Sequence, residues 1–287
     1  MSENHKRSSE VTDLRLFPAG MQRIAMGIEY RGDYFRGFQS QKTTASTVQA
    51  GLEDALSLVC DEPIQLVCAG RTDRGVHASN QIIHFDTLAQ RPLRAWLRGV
   101  NTKLPAGISI RWAQSVSPIF HARFSAKART YRYIIYNTPT PSALMDGFVT
   151  WDRRRLDVDA MIAASQYLVG QHDFSAFRGS GCQARSPVRC IEKITVTRWQ
   201  NFIITEIKAT AFLYHMVRNV MGVLLAVAAG EKPVNWVESV LASKDRRCAH
   251  VTAPAAGLYL VAVDYDQEFK LPASVKGPYI LSGYDVL

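Results

Sequence analysis

From Arg23 to Tyr30 the chain alternates, with Ile24, Met26, Ile28 and Tyr30 on one face, the two-residue period of a β-strand. "RGDYFRGFQSQ" then breaks the pattern as a glycine-containing loop. In "STVQAGLEDALSLVC" the positions Val48, Leu52, Leu56 and Val59 recur at helical spacing, and either Ser46 or Thr47 can cap the first turn. "PIQLVCAG" and "NQIIHFDT" predict two strands on either side of the loop "CAGRTDRGVHA", residues 68–78. "ISIRWAQSV" and "RTYRYIIYN" predict two more. On the second of these Tyr131, Tyr133 and Ile135 share one face, and Arg132, Ile134 and Tyr136 the other.

"DVDAMIAASQYLVG" predicts a helix closed by Gly170, and "IEKITVTRW" with "NFIITEIKAT" a hairpin turning near Gln200–Asn201. A long apolar helix is expected over 211–229, stopping at Gly230, then a helix over 234–243 and a last strand, "LYLVAVDY". This order predicts an α+β fold of two halves, residues 21–115 and 116–270, that share one large sheet covered by helices. A polar, disordered tail is expected over 1–20 and a second tail over 271–287.

Composition narrows the class. With 287 residues, 47% hydrophobic and 21% charged, the chain suits a soluble globular protein with a sizeable core. Its five cysteines are odd in number and form no C-x-x-C, which fits a reducing cytosol better than a disulfide framework. "MSENHKRSSEVTD" holds no apolar signal segment, and His215, Arg218 and Asn219 interrupt the longest apolar run, so a cytoplasmic protein without a membrane span is expected.

The net charge of +9 is concentrated in one segment. From Thr87 to Met145 there is no Asp or Glu, but nine cations: Arg91, Arg94, Arg98, Lys103, Arg111, Arg123, Lys127, Arg129 and Arg132. Without these nine, the rest of the chain balances 25 cations against 25 acids. A one-sided segment favours a polyanionic partner, most simply nucleic acid. The cations are spread through strands rather than lined along one amphipathic helix, which argues against a membrane surface.

Several chemistries lack their residues. "GDYFRGFQ" has Phe38 and Gln39 where a phosphate loop needs Lys and Ser or Thr, and no G-x-G-x-x-G follows a strand. No H-E-x-x-H or G-x-S-x-G occurs, and His77 and His84 fall on opposite strand faces, so no metal site is expected. What remains is Asp73, a lone acid between Arg71 and Arg74 and inside Gly70 and Gly75. The arginines would lower its pKa, the glycines would let the backbone turn tightly, and Thr72 could hold the turn through its hydroxyl. A weak surface ion pair is the plain alternative.

Two further stretches bear on the choice. "FHARFSAKARTYRYIIYN" (120–137) interleaves cations with aromatic rings, the composition of a surface for unpaired RNA, although alternation puts some of the tyrosines in the core. "HMVRNVMGVLLAVAAG" (215–230) places Arg218 in an apolar helix, where a buried cation needs an internal carboxylate, and Asp73 is the attractive partner.

With "CAGRTDRGVHA", "FHARFSAKARTYRYIIYN" and "FLYHMVRNVMG" in this order, the chain from about Arg23 to Tyr265 resembles the tRNA pseudouridine synthase A family. The resemblance implies the pseudouridine synthase fold: two related halves on a mostly antiparallel sheet, with the active-site cleft between them. It also implies a cofactor-free isomerase acting on uridines 38, 39 and 40 of the tRNA anticodon stem-loop, and a homodimer that binds each tRNA across both subunits. Carried over by residue, Asp73 would be the catalytic aspartate, Tyr131 the tyrosine packed on the target uracil, and Arg218 the basic partner of the aspartate. Arg71 would assist base flipping. Phe120, His121, Ala122, Arg123 and Phe124, together with Gly181, Cys182, Gln183, Ala184 and Arg185, would form tRNA-contacting segments. Arg91 and Arg123 would hold phosphates. Two other readings remain open from the residues alone, a non-catalytic RNA-binding module and an aspartate-nucleophile hydrolase, the latter weakened by the missing second carboxylate.

Overall fold

Strand alternation in this chain builds one sheet with two unequal sides. The computed structural model describes residues 17–41, 46–273 and 277–283; the tail expected over 1–20 lies outside the described residues as far as Leu16. The strands are β1 (Gln22–Tyr30), β2 (Val67–Cys68), β3 (His77–Thr87), β4 (Ile108–Val116), β5 (Ala128–Asn137), β6 (Thr150–Asp152), β7 (Gly170–Asp173), β8 (Val188–Trp199), β9 (Phe202–Ala209) and β10 (Leu258–Asp264). They join in the order β4-β1-β3-β10-β5-β9-β8-β7, with β2 added to β3 and β6 to β5. Pairing is antiparallel except for β10 with β3 and β6 with β5. The N-terminal strands β4, β1 and β3 therefore meet the C-terminal ones at β10, and the α+β class holds.

The four helices, α1 (Val48–Cys60), α2 (Val158–Gln166), α3 (Met216–Ala228) and α4 (Trp236–Ser243), all bury residues in one large core with Ile24, Met26, Ile28, Tyr131, Tyr133 and Ile135. Each wholly buried large side chain there contributes about 1.5–3 kcal/mol. The opposite face carries two smaller clusters, covered by loops. One holds Ile134, Ile204 and Tyr259, the other Ile82, Phe120 and Ala122. The split of β5 into a Tyr131–Tyr133–Ile135 face and an Ile134 face follows its alternation.

Elsewhere tertiary contacts override the local pattern. Thr47, not Ser46, caps α1, its hydroxyl accepting from the amide of Ala50. The strand expected over 63–70 shrinks to β2, because the amides of Ile64 and Leu66 donate to Ser57 Oγ and Glu53 Oε1, and Gly70 pairs with the side-chain amide of Gln81. Helix α3 starts at Met216 instead of 211, since His215 takes the left-handed conformation at φ 59°. Gln200, also left-handed at φ 53°, turns the β8–β9 hairpin where the pattern placed it. A π-helical turn over Ala95–Gly99 was not foreseen.

Candidate active site

Asp73 lies in the loop between β2 and β3, and that loop is fixed from several sides. Gly70 is held at both ends by Gln81, which donates to its carbonyl and accepts from its amide. Thr72 does not bond within its own turn; its hydroxyl meets Tyr30 Oη at 2.8 Å, and its carbonyl accepts from Phe38. Only Gly75 of the two flanking glycines needs the left-handed region, at φ 81°. Gly32 lets the preceding chain pass so close that a Cβ there would collide with the Val76 carbonyl.

The counter-charges to Asp73 come from the start of α3. Arg218 Nη1 stands 3.7 Å and His215 Nε2 3.3 Å from Asp73 Oδ2. Arg218 is anchored to residue 253 through both main chain and side chain: Nε donates to the Ala253 carbonyl at 2.8 Å, and the Ala253 amide donates to its carbonyl. That close approach requires Gly222, where a Cβ would collide with Val251 O. Beneath it, buried Asn219 donates to Phe177 O and accepts from Arg246 and Thr252.

The expectation that Arg71 and Arg74 would lower the pKa of Asp73 is corrected. Burial pushes the carboxyl above its ordinary 3.8, while His215 and then Arg218 pull it back. Arg71 and Arg74 are exposed, and neither is paired with Asp73. Burial likewise lowers the pKa of His215, against the opposing pull of Asp73.

Tyr131 enters from β5, 8% exposed, its ring edge-on to Phe212 at 5.0 Å. A Cβ on Gly70 would stand 3.6 Å from its hydroxyl, so the open side of Gly70 is the wall facing Tyr131. Burial and then the charge of Asp73 raise its pKa and keep the phenol neutral. Asp73, Tyr131 and Arg218, drawn from three distant stretches, thus surround one point where the halves of the sheet meet.

The other expected residues lie around this point in different states. Burial pushes the Cys68 thiol up to about 12, and Arg71 and then Arg123 pull it down, so these two cations approach the same loop. Phe120 and Ala122 are wholly buried, and Ala122 donates its amide to His84 Nδ1. Arg123 and Phe124 face solvent; Phe124 stacks on His121 at 4.3 Å, with Arg123 over the ring. In the 181–185 segment Gly181, Gln183 and Arg185 are exposed, while Arg178 holds the carbonyls of Cys182 and Ala184. Gly179 ties this loop to Tyr214, the neighbour of His215. Arg91 is exposed and donates to Val59 O.

The acid-free segment does not act as one basic face. Arg132 is buried and paired with Glu206 at 2.9 Å, Arg111 meets Glu29, and Lys127 meets Asp266. Arg129 spends its guanidinium on the carbonyls of Ala69, Arg123, Ala126 and Thr210, tying β5 to the loop that carries Asp73. Among the described residues Arg91, Arg94, Arg98, Lys103 and Arg123 stay exposed without an ion pair. Sequence reasoning passed over His215 and Gln81. His215 stands just before α3 in the left-handed region, so no helical spacing in the sequence ties it to Arg218. Among the described residues no group of three or more His, Cys, Asp or Glu is gathered as metal ligands would be, and no helix is long and apolar enough to cross a membrane.

A strand-loop aspartate thus faces a half-buried arginine and a buried tyrosine across the shared sheet. Residues 28–125 and 164–266 match the tRNA pseudouridine synthase family, and the chain belongs to that family. It is 51% identical over 92% of its length, and 93% of the other chain, to a Pseudomonas aeruginosa protein named tRNA pseudouridine synthase A. A protein of the same name from Coxiella burnetii is 51% identical over 91% of this chain and all of its own. Among solved structures, an H/ACA ribonucleoprotein bound to a substrate RNA containing 2′-deoxyuridine matches at TM-score 0.36. That likeness has 9% identity over 83% of this chain and 47% of the other, too slight to argue from.

Proposed function

We propose that the protein is a tRNA pseudouridine synthase that isomerises uridines 38 to 40 of the anticodon stem-loop. The observation that carries the reading is the meeting of Asp73, Tyr131 and Arg218, which sequence separates widely and the fold assembles. The name shared by relatives at half identity supports the reaction class. The isomerisation breaks the N-glycosidic bond and rejoins the base through C5. It asks for a nucleophile, a proton acceptor and a pocket that excludes water. Asp73 supplies a carboxylate for covalent attack or for assisting elimination from the sugar. Tyr131 packs against the uracil. Arg218 keeps the buried carboxylate ionised.

The target base must leave its stack, at a few kcal/mol. Arg71, at the mouth of the Asp73 loop, is placed to fill the gap, and Arg123 and Phe124 offer a phosphate contact and a stacking ring beside it. Residues 181–185 approach the anticodon arm from the Tyr214 side, and Arg91 holds a more distant phosphate. A cytoplasmic homodimer is part of the reading. Velocity sedimentation checks the dimer. The function is tested by mass-spectrometric mapping of unmodified tRNA treated with the protein: new pseudouridine at 38 to 40 is expected, and tRNA left unchanged overturns the reading.

A further inference from the structure

His77 opens β3 four residues after Asp73 and is buried, 1% exposed, yet it has no part in the chemistry proposed for the site. Both of its ring nitrogens are occupied. The amide of Gly32 stands 3.1 Å from Nδ1, and Nε2 stands 2.8 Å from the carbonyl of Gly147. An amide N–H only donates and a carbonyl only accepts, so Nδ1 must be bare and Nε2 must carry the proton. Burial lowers the pKa of the ring and keeps it neutral, with Asp33 favouring the charged form and Arg31 opposing it.

The two bonds lead in different directions. On the Nδ1 side, Asp73 begins a four-residue turn, closed by the Val76 amide donating to the Asp73 carbonyl, with Gly75 left-handed at its third position. The amide of Gly75 points out of this turn and donates to the Gly32 carbonyl at 3.1 Å. Gly32 thus hangs between the turn and His77 by its own carbonyl and amide, in a space where a Cβ would collide with the Val76 carbonyl. On the Nε2 side, Gly147 lies between β5 and β6, and its neighbour Phe148 accepts from Tyr259 Oη at 2.6 Å. The His77 ring stacks on Tyr259 at 4.7 Å and 20°. Both β6 and β10, which holds Tyr259, pair with β5, the strand of Tyr131.

We infer that His77 is a positioning residue: as the Nε2–H tautomer it clasps Gly32 and Gly147 together, and so fixes the Asp73 turn against the strands around Tyr131. It acts on Asp73 through Gly32 and Gly75. The inference rests on the proposed reaction for its kinetic consequence but not for its geometry. Three variants separate the two bonds. His77→Asn keeps an acceptor near Nδ1, His77→Gln keeps a donor near Nε2, and His77→Phe keeps a ring for Tyr259 with neither.

The test joins spectroscopy to kinetics. Nitrogen-15 NMR of labelled wild-type protein at neutral pH is expected to show the Nε2–H tautomer at His77; the Nδ1–H tautomer or a charged ring overturns the inference. In His77→Phe, hydrogen exchange at the Gly75 amide should quicken about tenfold or more, and unchanged exchange there contradicts the link to the Asp73 turn. With tRNA, kcat of His77→Phe should fall about 10- to 100-fold, the scale of a small misplacement of a reacting group, with KM changed less than about twofold. His77→Asn should recover most of this loss and His77→Gln little, because the link to Asp73 runs through Nδ1. A lowered Tm in all three variants with wild-type kcat marks a purely structural role and contradicts the inference. Should His77→Phe fail to fold by circular dichroism, the wild-type tautomer and the order of kcat, His77→Asn above His77→Gln, decide. A wild-type protein that forms no pseudouridine strikes the proposed function, and the tautomer and the exchange at Gly75 still decide the inference.

Discussion

At Asp73 burial and charge act against each other, and the balance can be read from a pH profile. Burial raises its pKa above 3.8, and the proposed mechanism needs the carboxylate. The acid limb of kcat/KM is therefore expected above the range of an exposed aspartate, activity falling as pH drops through the folded-state value. Arg218→Met withdraws the permanent positive charge beside the carboxylate, so the limb should move to higher pH while kcat falls about 100-fold or more. A limb that stays in place or moves down contradicts the assignment of Arg218 as counter-charge. Both residues were legible because each breaks its surroundings, one acid among cations and one cation in an apolar helix. His215 was not. In sequence it reads as a polar interruption of a long apolar run, and its contact with Asp73 exists only once α3 is docked.

Elements were legible where periodicity is strict and hidden where a distant residue sets the boundary. The strands with clear alternation, β1, β4, β5, β8 and β9, fall where the pattern puts them. The start of α3 does not, because the left-handed turn at His215 is imposed by Gly179 and Tyr214, over thirty residues apart in the chain. Nor was the shortness of β2 readable, since Ser57, Glu53 and Gln81 capture the amides of Ile64, Leu66 and Gly70 through their side chains. The placement of α3 suggests a sharp mutation. Gly222→Ala adds a methyl against the Val251 carbonyl and pushes away the segment that holds Arg218 through Ala253. A loss of about 1–3 kcal/mol is expected for this overpacking, or several degrees in Tm by calorimetry. Activity should fall as well, through the displaced arginine. A variant with wild-type Tm and rate contradicts the account of this contact.

For the whole molecule, net charge pointed to a polyanionic partner but not to the cations that would meet it. Nine cations in a row of sequence divide in the fold into internal ties such as Arg129, neutralised pairs such as Arg132–Glu206, and exposed groups such as Arg123. Alternation could not tell them apart, because their acidic partners, Glu29, Glu206 and Asp266, come from other strands and turns. Arg123→Glu should weaken tRNA binding and reduce the slope of log affinity against log salt by about one phosphate contact or more. Lys127→Ala, which frees Asp266, should change the slope less. Equal slopes for wild type and Arg123→Glu, measured by filter binding, would remove Arg123 from the interface. The central claim is that Asp73 performs the isomerisation within this frame. It is tested most directly by tritium release from tRNA labelled at uridine C5, comparing wild type with a folded, tRNA-binding Asp73→Asn protein. Release by wild type and none above background by Asp73→Asn is the predicted result; equal release from both would contradict it.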